Sequence, residues 1–189
     1  VRRHHNKLEG RGNGFNGTIR NATFTSNGKL GAGAISFDGD NDYIDLGSTN
    51  LSNVCMNTSA ADGVQGCTFS AWVYKTGTLD GDIITRINSV SSDSFFRFYI
   101  DDDLDRIYFD LYNNGSSSSY CTTSTGASSF PKDNWVYVVA VYNLSNVMIY
   151  LNQIRLSLSS TCSFSSINAT AWQDFENIYI GRYSDGSFW

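Results

Sequence analysis

Gly33-Ala34-Ile35-Ser36-Phe37-Asp38-Gly39-Asp40-Asn41-Asp42-Tyr43-Ile44-Asp45-Leu46-Gly47 reads as two short strands joined by an acidic turn. Ile35 and Phe37 alternate with small or polar residues, and Tyr43, Ile44 and Leu46 resume after the turn. A period of two is what a half-buried strand needs, because successive side chains leave opposite faces of the pleat. Four carboxylates, Asp38, Asp40, Asp42 and Asp45, fall within this stretch. Crowded carboxylates repel one another unless a cation joins them or the backbone of their own turn takes them up.

The same period recurs along the chain. Cys67–Tyr74, Asp82–Ile87, Ser94–Ile100, Arg106–Tyr112, Asn134–Tyr142, Val147–Leu151, Ile154–Leu158 and Asn177–Arg182 all read as strands. Turn residues separate them, such as Lys75-Thr76-Gly77 and Asn143-Leu144-Ser145-Asn146. The one weak helical candidate, Ala169–Phe175, is short. Many evenly spaced strands with polar turns predict an all-β antiparallel sandwich. Gly115–Ser129, rich in Ser and Thr, reads as one long surface loop.

Bulk properties narrow the function classes. A chain of 189 residues is one domain. A net charge of −5 argues against nucleic acid as a partner, since phosphate binding needs a basic face. The basic cluster Arg2, Arg3, Lys7 and Arg11 reads as a solvated tail. The longest apolar run, Trp135 to Tyr142, falls far short of the ~20 residues of a membrane-spanning helix, so no membrane insertion is expected. Cys55, Cys67, Cys121 and Cys162 lie without a CxxC pair and with only two His in the chain, which disfavours zinc. Of their three pairings, Cys55–Cys67 and Cys121–Cys162 are expected, because the first brackets a polar loop and the second would pin the Ser/Thr-rich one. Asn-x-Ser/Thr occurs at Asn16, Asn21, Asn50, Asn57, Asn114, Asn143 and Asn168, a modest excess in a chain so rich in Asn, Ser and Thr. Cysteines and sequons together point to an extracellular or cell-surface protein.

Six pieces in order carry a resemblance. They are Gly12–Thr18, Gly33–Gly47, Thr68-Phe69-Ser70-Ala71-Trp72-Val73-Tyr74, Asn134-Trp135-Val136-Tyr137-Val138-Val139-Ala140-Val141-Tyr142, Met148-Ile149-Tyr150-Leu151-Asn152 and Ile178-Tyr179-Ile180-Gly181-Arg182. Together they resemble the laminin G-like, concanavalin A-like jelly-roll family. The resemblance implies a jelly-roll domain over residues 12–189, with residues 1–11 as a tail. Family domains usually open with an apolar strand where this chain has Arg2–Lys7, and close with a strand beyond a motif like Asp185-Gly186-Ser187-Phe188. Neither strand is legible here. The expectation is therefore a fragment of a longer polypeptide, with strands supplied by another chain as the alternative.

The resemblance also implies one calcium ion held by loop oxygens. Asp38, Asp40 and Asp42 have the alternate spacing of an oxygen-rich cation loop, and Asn13 or Asn16 would complete the set. Tyr43 and Thr49 stand where an EF-hand needs Gly and Glu, so this is not one. The other reading is a hairpin turn in which Asp and Asn bond their own backbone; both stay open here. Asp101, Asp102, Asp103 and Asp105 read as a solvated hairpin tip.

Catalysis is weakly indicated. The only two Glu, Glu9 and Glu176, have no strand partner acid of the kind glycoside hydrolysis uses, His4 and His5 are terminal, and no Gly-x-Ser-x-Gly elbow occurs. Trp72 and Trp135 sit mid-strand, where core packing is expected. Trp172, Tyr112, Tyr120 and Tyr183, in or beside loops, are the candidates for stacking on a ligand. The expected function is a non-enzymatic recognition or adhesion module for a glycan or an extracellular partner protein. The alternatives are a self-associating subunit of a surface layer or filament built by strand exchange, and the accessory domain of a carbohydrate-active enzyme.

Overall fold

The computed structural model describes residues 17–48, 66–77, 80–87, 94–112, 120–143, 146–160 and 177–182. Among these every regular element is a strand: β1 (Thr18–Arg20), β2 (Thr23–Thr25), β3 (Ala34–Ser36), β4 (Tyr43–Ser48), β5 (Cys67–Tyr74), β6 (Gly81–Ile87), β7 (Ser94–Asp101), β8 (Arg106–Tyr112), β9 (Tyr120–Ser124), β10 (Trp135–Tyr142), β11 (Val147–Leu151), β12 (Ile154–Arg155), β13 (Ser159–Ser160) and β14 (Asn177–Ile180). They form an eight-stranded sheet in the order β1-β4-β14-β6-β7-β8-β9-β13, a four-stranded sheet in the order β12-β11-β10-β5, and the separate pair β2-β3. All the described pairings are antiparallel.

The two larger sheets face each other across one apolar core. On β10 the burial alternates strictly, with Val136, Val138, Ala140 and Tyr142 turned inward. Val147, Ile149 and Leu151 do the same on β11. The large sheet answers with Phe96, Phe98 and Ile100 on β7 and Ile107, Phe109 and Leu111 on β8, none more than 1% exposed. Phe69 of β5 stacks on Phe96 at 5.0 Å, which joins the layers. This packing of two inner faces is what makes a sandwich stable in water. Burial pushes the Tyr142 phenol up to about 12, with Cys67 opposite it adding to the effect.

Several expectations change here. The acidic stretch does form two strands, but they do not pair with each other, so it is no hairpin. β3 pairs with β2, while β4 lies between β1 and β14 in the large sheet. The turn is thus a crossing between sheets. Gly115–Ser129 is not one loop, because Tyr120–Ser124 form β9 beside β8. Its Thr and Ser suit a strand with no apolar stripe to betray it. Next to it Thr125 is buried and its hydroxyl accepts from the Ile107 N–H at 3.0 Å. Ile154–Leu158 is not one strand either; β12 stops at Arg155, and β13 joins the other sheet at β9. The segment Ala169–Phe175 lies outside the described residues.

Gly181 shows how tightly β14 is seated. Its φ is +82°, and a Cβ built there would stand 2.7 Å from the Phe37 ring. Gly181→Ala must both strain the backbone and displace Phe37. The expected cost is about 2 kcal/mol in a urea melt, which a loss under about 0.5 kcal/mol would refute.

Candidate functional site

Strand alternation decides what the four-stranded sheet shows to solvent. Since Ala71 and Val73 face the core, Trp72 and Tyr74 face outward on β5; since Val136 and Val138 are buried, Trp135 and Tyr137 face outward on β10. The register sets Trp135 opposite Tyr74 and Tyr137 opposite Trp72. The rings meet, with centroids 5.5 Å apart for Tyr74 and Trp135 and 5.2 Å for Trp72 and Tyr137. Lys29, from the loop between β2 and β3, holds its ammonium 5.1 Å from the Trp72 ring centroid. Met148 and Tyr150 of β11 extend the same face. The expectation that Trp72 and Trp135 pack in the core is corrected by this geometry: their neighbours Val73 and Val136 occupy the core, and the indoles form a half-buried outer platform.

A groove of about 1120 Å³ runs along the β5 side of this platform. Phe69, Ala71, Val73, Ile83 and Ile180 bring the apolar core to it, Ala34–Asp38 form its far wall, and Leu30, Trp72, Tyr74 and Trp135 rim it. Leu30 is 68% exposed and Phe24, on the same β2–β3 pair, 76%. Leu30 belongs to the lining of the groove and Phe24 does not.

The C-terminal end of β5 is locked by charge. Lys75, fully buried, donates to Asp102 at 3.1 Å, and Asp102 also accepts from Lys132 at 2.9 Å. Lys132 reaches Asp105 at 2.7 Å, and the Asp102 N–H donates to Asp80 Oδ1 at 2.9 Å. The bond from Lys132 holds the Asp102 carboxyl below its usual range, against burial and with help from Lys75. Asp105, then Asp102, raises Lys132. The tip between β7 and β8 is solvated at Asp103, as expected, but Asp102 is only 14% exposed and belongs to an ion-pair node. Composition alone hid it, because both lysines are distant in the chain.

A laminin G family model, described as the concanavalin A-like lectin/glucanases superfamily, matches residues 38–189. The chain belongs to this superfamily. The match starts in the acidic turn and spans both sheets. A solved superfamily-type structure to which the chain is similar is that of the mouse laminin alpha1 chain, domains LG4-5, at 17% identity, covering 61% of this chain and 28% of that one with a TM-score of 0.41. So slight a likeness says nothing of function. A search of the curated proteins matched none.

In this member of the superfamily Asp38, Asp42 and Asp45 each turn one carboxylate oxygen to the backbone of their own stretch. The Asp38 N–H donates to Asp42 Oδ2 at 3.0 Å, the Asp40 N–H to Asp38 Oδ1 at 3.0 Å, and the Gly47 N–H to Asp45 Oδ1 at 2.8 Å. Asp42 is 4% exposed. Among the described residues no group of three His, Cys, Asp or Glu is gathered to hold a metal ion. Asn13 and Asn16, the other oxygens expected at a cation site with Asp38, Asp40 and Asp42, lie outside the described residues.

Other expected sites divide in the same way. Trp172 and Tyr183 lie outside the described residues, and only the backbones of Tyr112 and Tyr120 are described, opposite each other in β8 and β9. Cys55 and Cys162 are outside too; Cys67 opens β5, half-buried, and Cys121 sits in β9. Of the sequon asparagines, Asn21 and Asn143 are described and both are exposed. The Asn21 amide donates to Asn41 Oδ1 at 2.6 Å, bracing the acidic turn, while Asn143 Oδ1 caps the β10–β11 turn through the Asn146 N–H at 2.9 Å. Asn16, Asn50, Asn57, Asn114 and Asn168 are outside the described residues.

Proposed function

We propose that the chain is an extracellular, non-enzymatic recognition module that binds a glycan on the aromatic face of β5 and β10. The observation that carries this reading is the outward placement of Trp72, Tyr74, Trp135 and Tyr137 as two contacting ring pairs. Flat rings stack on the apolar faces of sugars, while Ser70 and the Lys29 ammonium offer polar contacts beside them. Three of the described carboxylates are committed elsewhere, which supports the non-enzymatic part: Asp42 to its turn, Asp82 to Arg97, Asp102 to two lysines. Disulfides among the four cysteines and glycans at exposed Asn143 belong to the same extracellular reading.

A glycan array probed with the labelled chain, with and without a chelator, tests it. The expected result is binding of a restricted set of glycans, weakened about thirtyfold in Trp135→Ala, the effect of deleting an aromatic anchor worth ~2 kcal/mol. Loss of binding with chelator would bring calcium into the site; binding that survives it would confine the site to the aromatic face. Turnover of any polysaccharide, or full binding by Trp135→Ala, would sink the proposal. The subunit alternative draws on the open side of β5 and predicts polymers of the purified chain in electron micrographs.

A further inference from the structure

We propose that the aromatic face of the four-stranded sheet selects glycans with isolated acidic units, one acid held at Lys29 and another at Arg155, with neutral sugar rings between them. This inference rests on the glycan reading and narrows it to a class of ligand.

The first observation is where the acids are. The chain holds 18 Asp and Glu and a net charge of −5, yet none of these acids falls in β5, β10, β11 or β12. Strand propensity does not explain this, because the strands of the larger sheet carry Asp45, Asp82, Asp101 and Asp110. The second observation is where the cations are. Lys29 stands at the β5 side of the face, over Trp72. Arg155 stands at the other side, on β12, opposite Tyr150 and turned outward with it. Both are exposed, and among the described residues neither belongs to an ion pair, unlike Lys75, Lys132 and Arg97. An acidic protein that clears the carboxylates from one face and leaves two unpaired cations there makes that face a local attractor of anions.

The spacing states how the anions must be arranged. The register joins Trp72 to Tyr137, Val139 to Tyr150 and Tyr150 to Arg155, one path across four strands. Three strand spacings put the two cations about 15 Å apart. The floor between them is Tyr137, Val139, Val141, Met148 and Tyr150, all half-buried. Sugar rings stack on such a floor, whereas an anion laid on it loses water and gains no partner. A densely charged chain therefore fits badly, and a chain with separated carboxylates fits. Lys29 meets its carboxylate as a point charge, with N–H donors to spare beside the Trp72 ring. Arg155 offers a planar fork that matches a carboxylate with two parallel bonds. Asp133, exposed two residues before Trp135, repels acid at that end, so Trp135 takes a neutral ring.

An array of oligosaccharides of defined sequence tests this, with neutral, singly or doubly carboxylated, and densely sulfated members. Titration calorimetry follows on the best binders and on the same sugars with their carboxyls reduced to alcohols. The expected best binders carry carboxylates separated by neutral units. Reducing one carboxyl weakens them about fivefold, the worth of one exposed ion pair. In the double variant Lys29→Met, Arg155→Met the same reduction changes nothing. Equal binding of carboxylated and reduced sugars, densely sulfated chains as the best binders, or an undiminished fivefold loss in the double variant would overturn the proposal and leave the glycan reading standing. Polyglutamate bound as tightly as the best sugars would overturn it in favour of an acidic peptide. Silence of the whole array would overturn both readings.

Discussion

Phe98→Ala lowers the stability of the fold by about 3–5 kcal/mol. The residue sits at the middle of β7, is fully buried, and meets the Phe109 ring edge-on with centroids 6.1 Å apart. Its partners across β6 and β8, Ile84 and Phe109, are pinned by ladder hydrogen bonds and cannot collapse into the space left by a ring. Both the lost transfer energy and the residual cavity therefore count. A domain of this size has about 5–15 kcal/mol in total, so the variant should melt near the edge of usable stability. Guanidinium unfolding of the two chains measures it. A loss below about 1.5 kcal/mol would mean the sandwich is not closed over this residue as described.

The second large effect is asymmetric. Asp102→Asn strands the buried Lys75 ammonium without its anion and should cost about 3 kcal/mol, whereas Lys75→Met removes the charge and leaves Asp102 with Lys132, at little or no cost. Equal losses in the two variants would refute the picture of a desolvated ammonium. The pH dependence follows in sign. Asp102 has its carboxyl lowered in the fold from 3.8, so its stabilisation is whole above the unfolded value and disappears as the pH falls through the lower, folded one. Lys132 is raised from 10.5, so its contribution holds below that value and is lost as the pH climbs past the folded one. The acid limb of a stability–pH profile should flatten in Asp102→Asn.

How much of this was legible in the linear chain depends on how far each signal reaches. β10 announced itself, because eight apolar residues rich in Val, Tyr and Trp, bounded by polar turns, have the length and composition of a strand. The acidic turn offered two readings, and the bonds to its own backbone, which are local in sequence, match one of them. What stayed hidden was relational. Trp72 could be placed in a strand by its neighbours, but its side of that strand is set by pairing with β10 and by which sheet lies behind. A period of two fixes the parity of a strand and leaves its sign open. β9 escaped for the opposite reason: a strand of Tyr, Cys, Thr and Ser at the margin of a sheet need not bury a stripe, and carries none to find. The ion-pair node was the least visible, because Lys75, Asp102 and Lys132 come from three separate segments. The family match, covering residues 38–189, agrees with the strands that could be read and adds nothing on these points of sign.

The place of β14 has a consequence for biosynthesis. It lies between β4 and β6, pairing Ile180 with Ile44 and Tyr179 with Thr85, so the centre of the large sheet joins a strand from the start of the chain to one from its far end. Synthesis proceeds at about 5–20 residues per second, and β4 and β6 emerge many seconds before the strand that divides them. The β6–β7–β8–β9 meander can form on the ribosome, since its neighbours in space are neighbours in sequence. For that interval it carries a bare edge at β6, and β4 carries another. The order of translation thus makes completion of this sheet a late event, and makes the nascent chain, more than the finished one, the species a chaperone would meet.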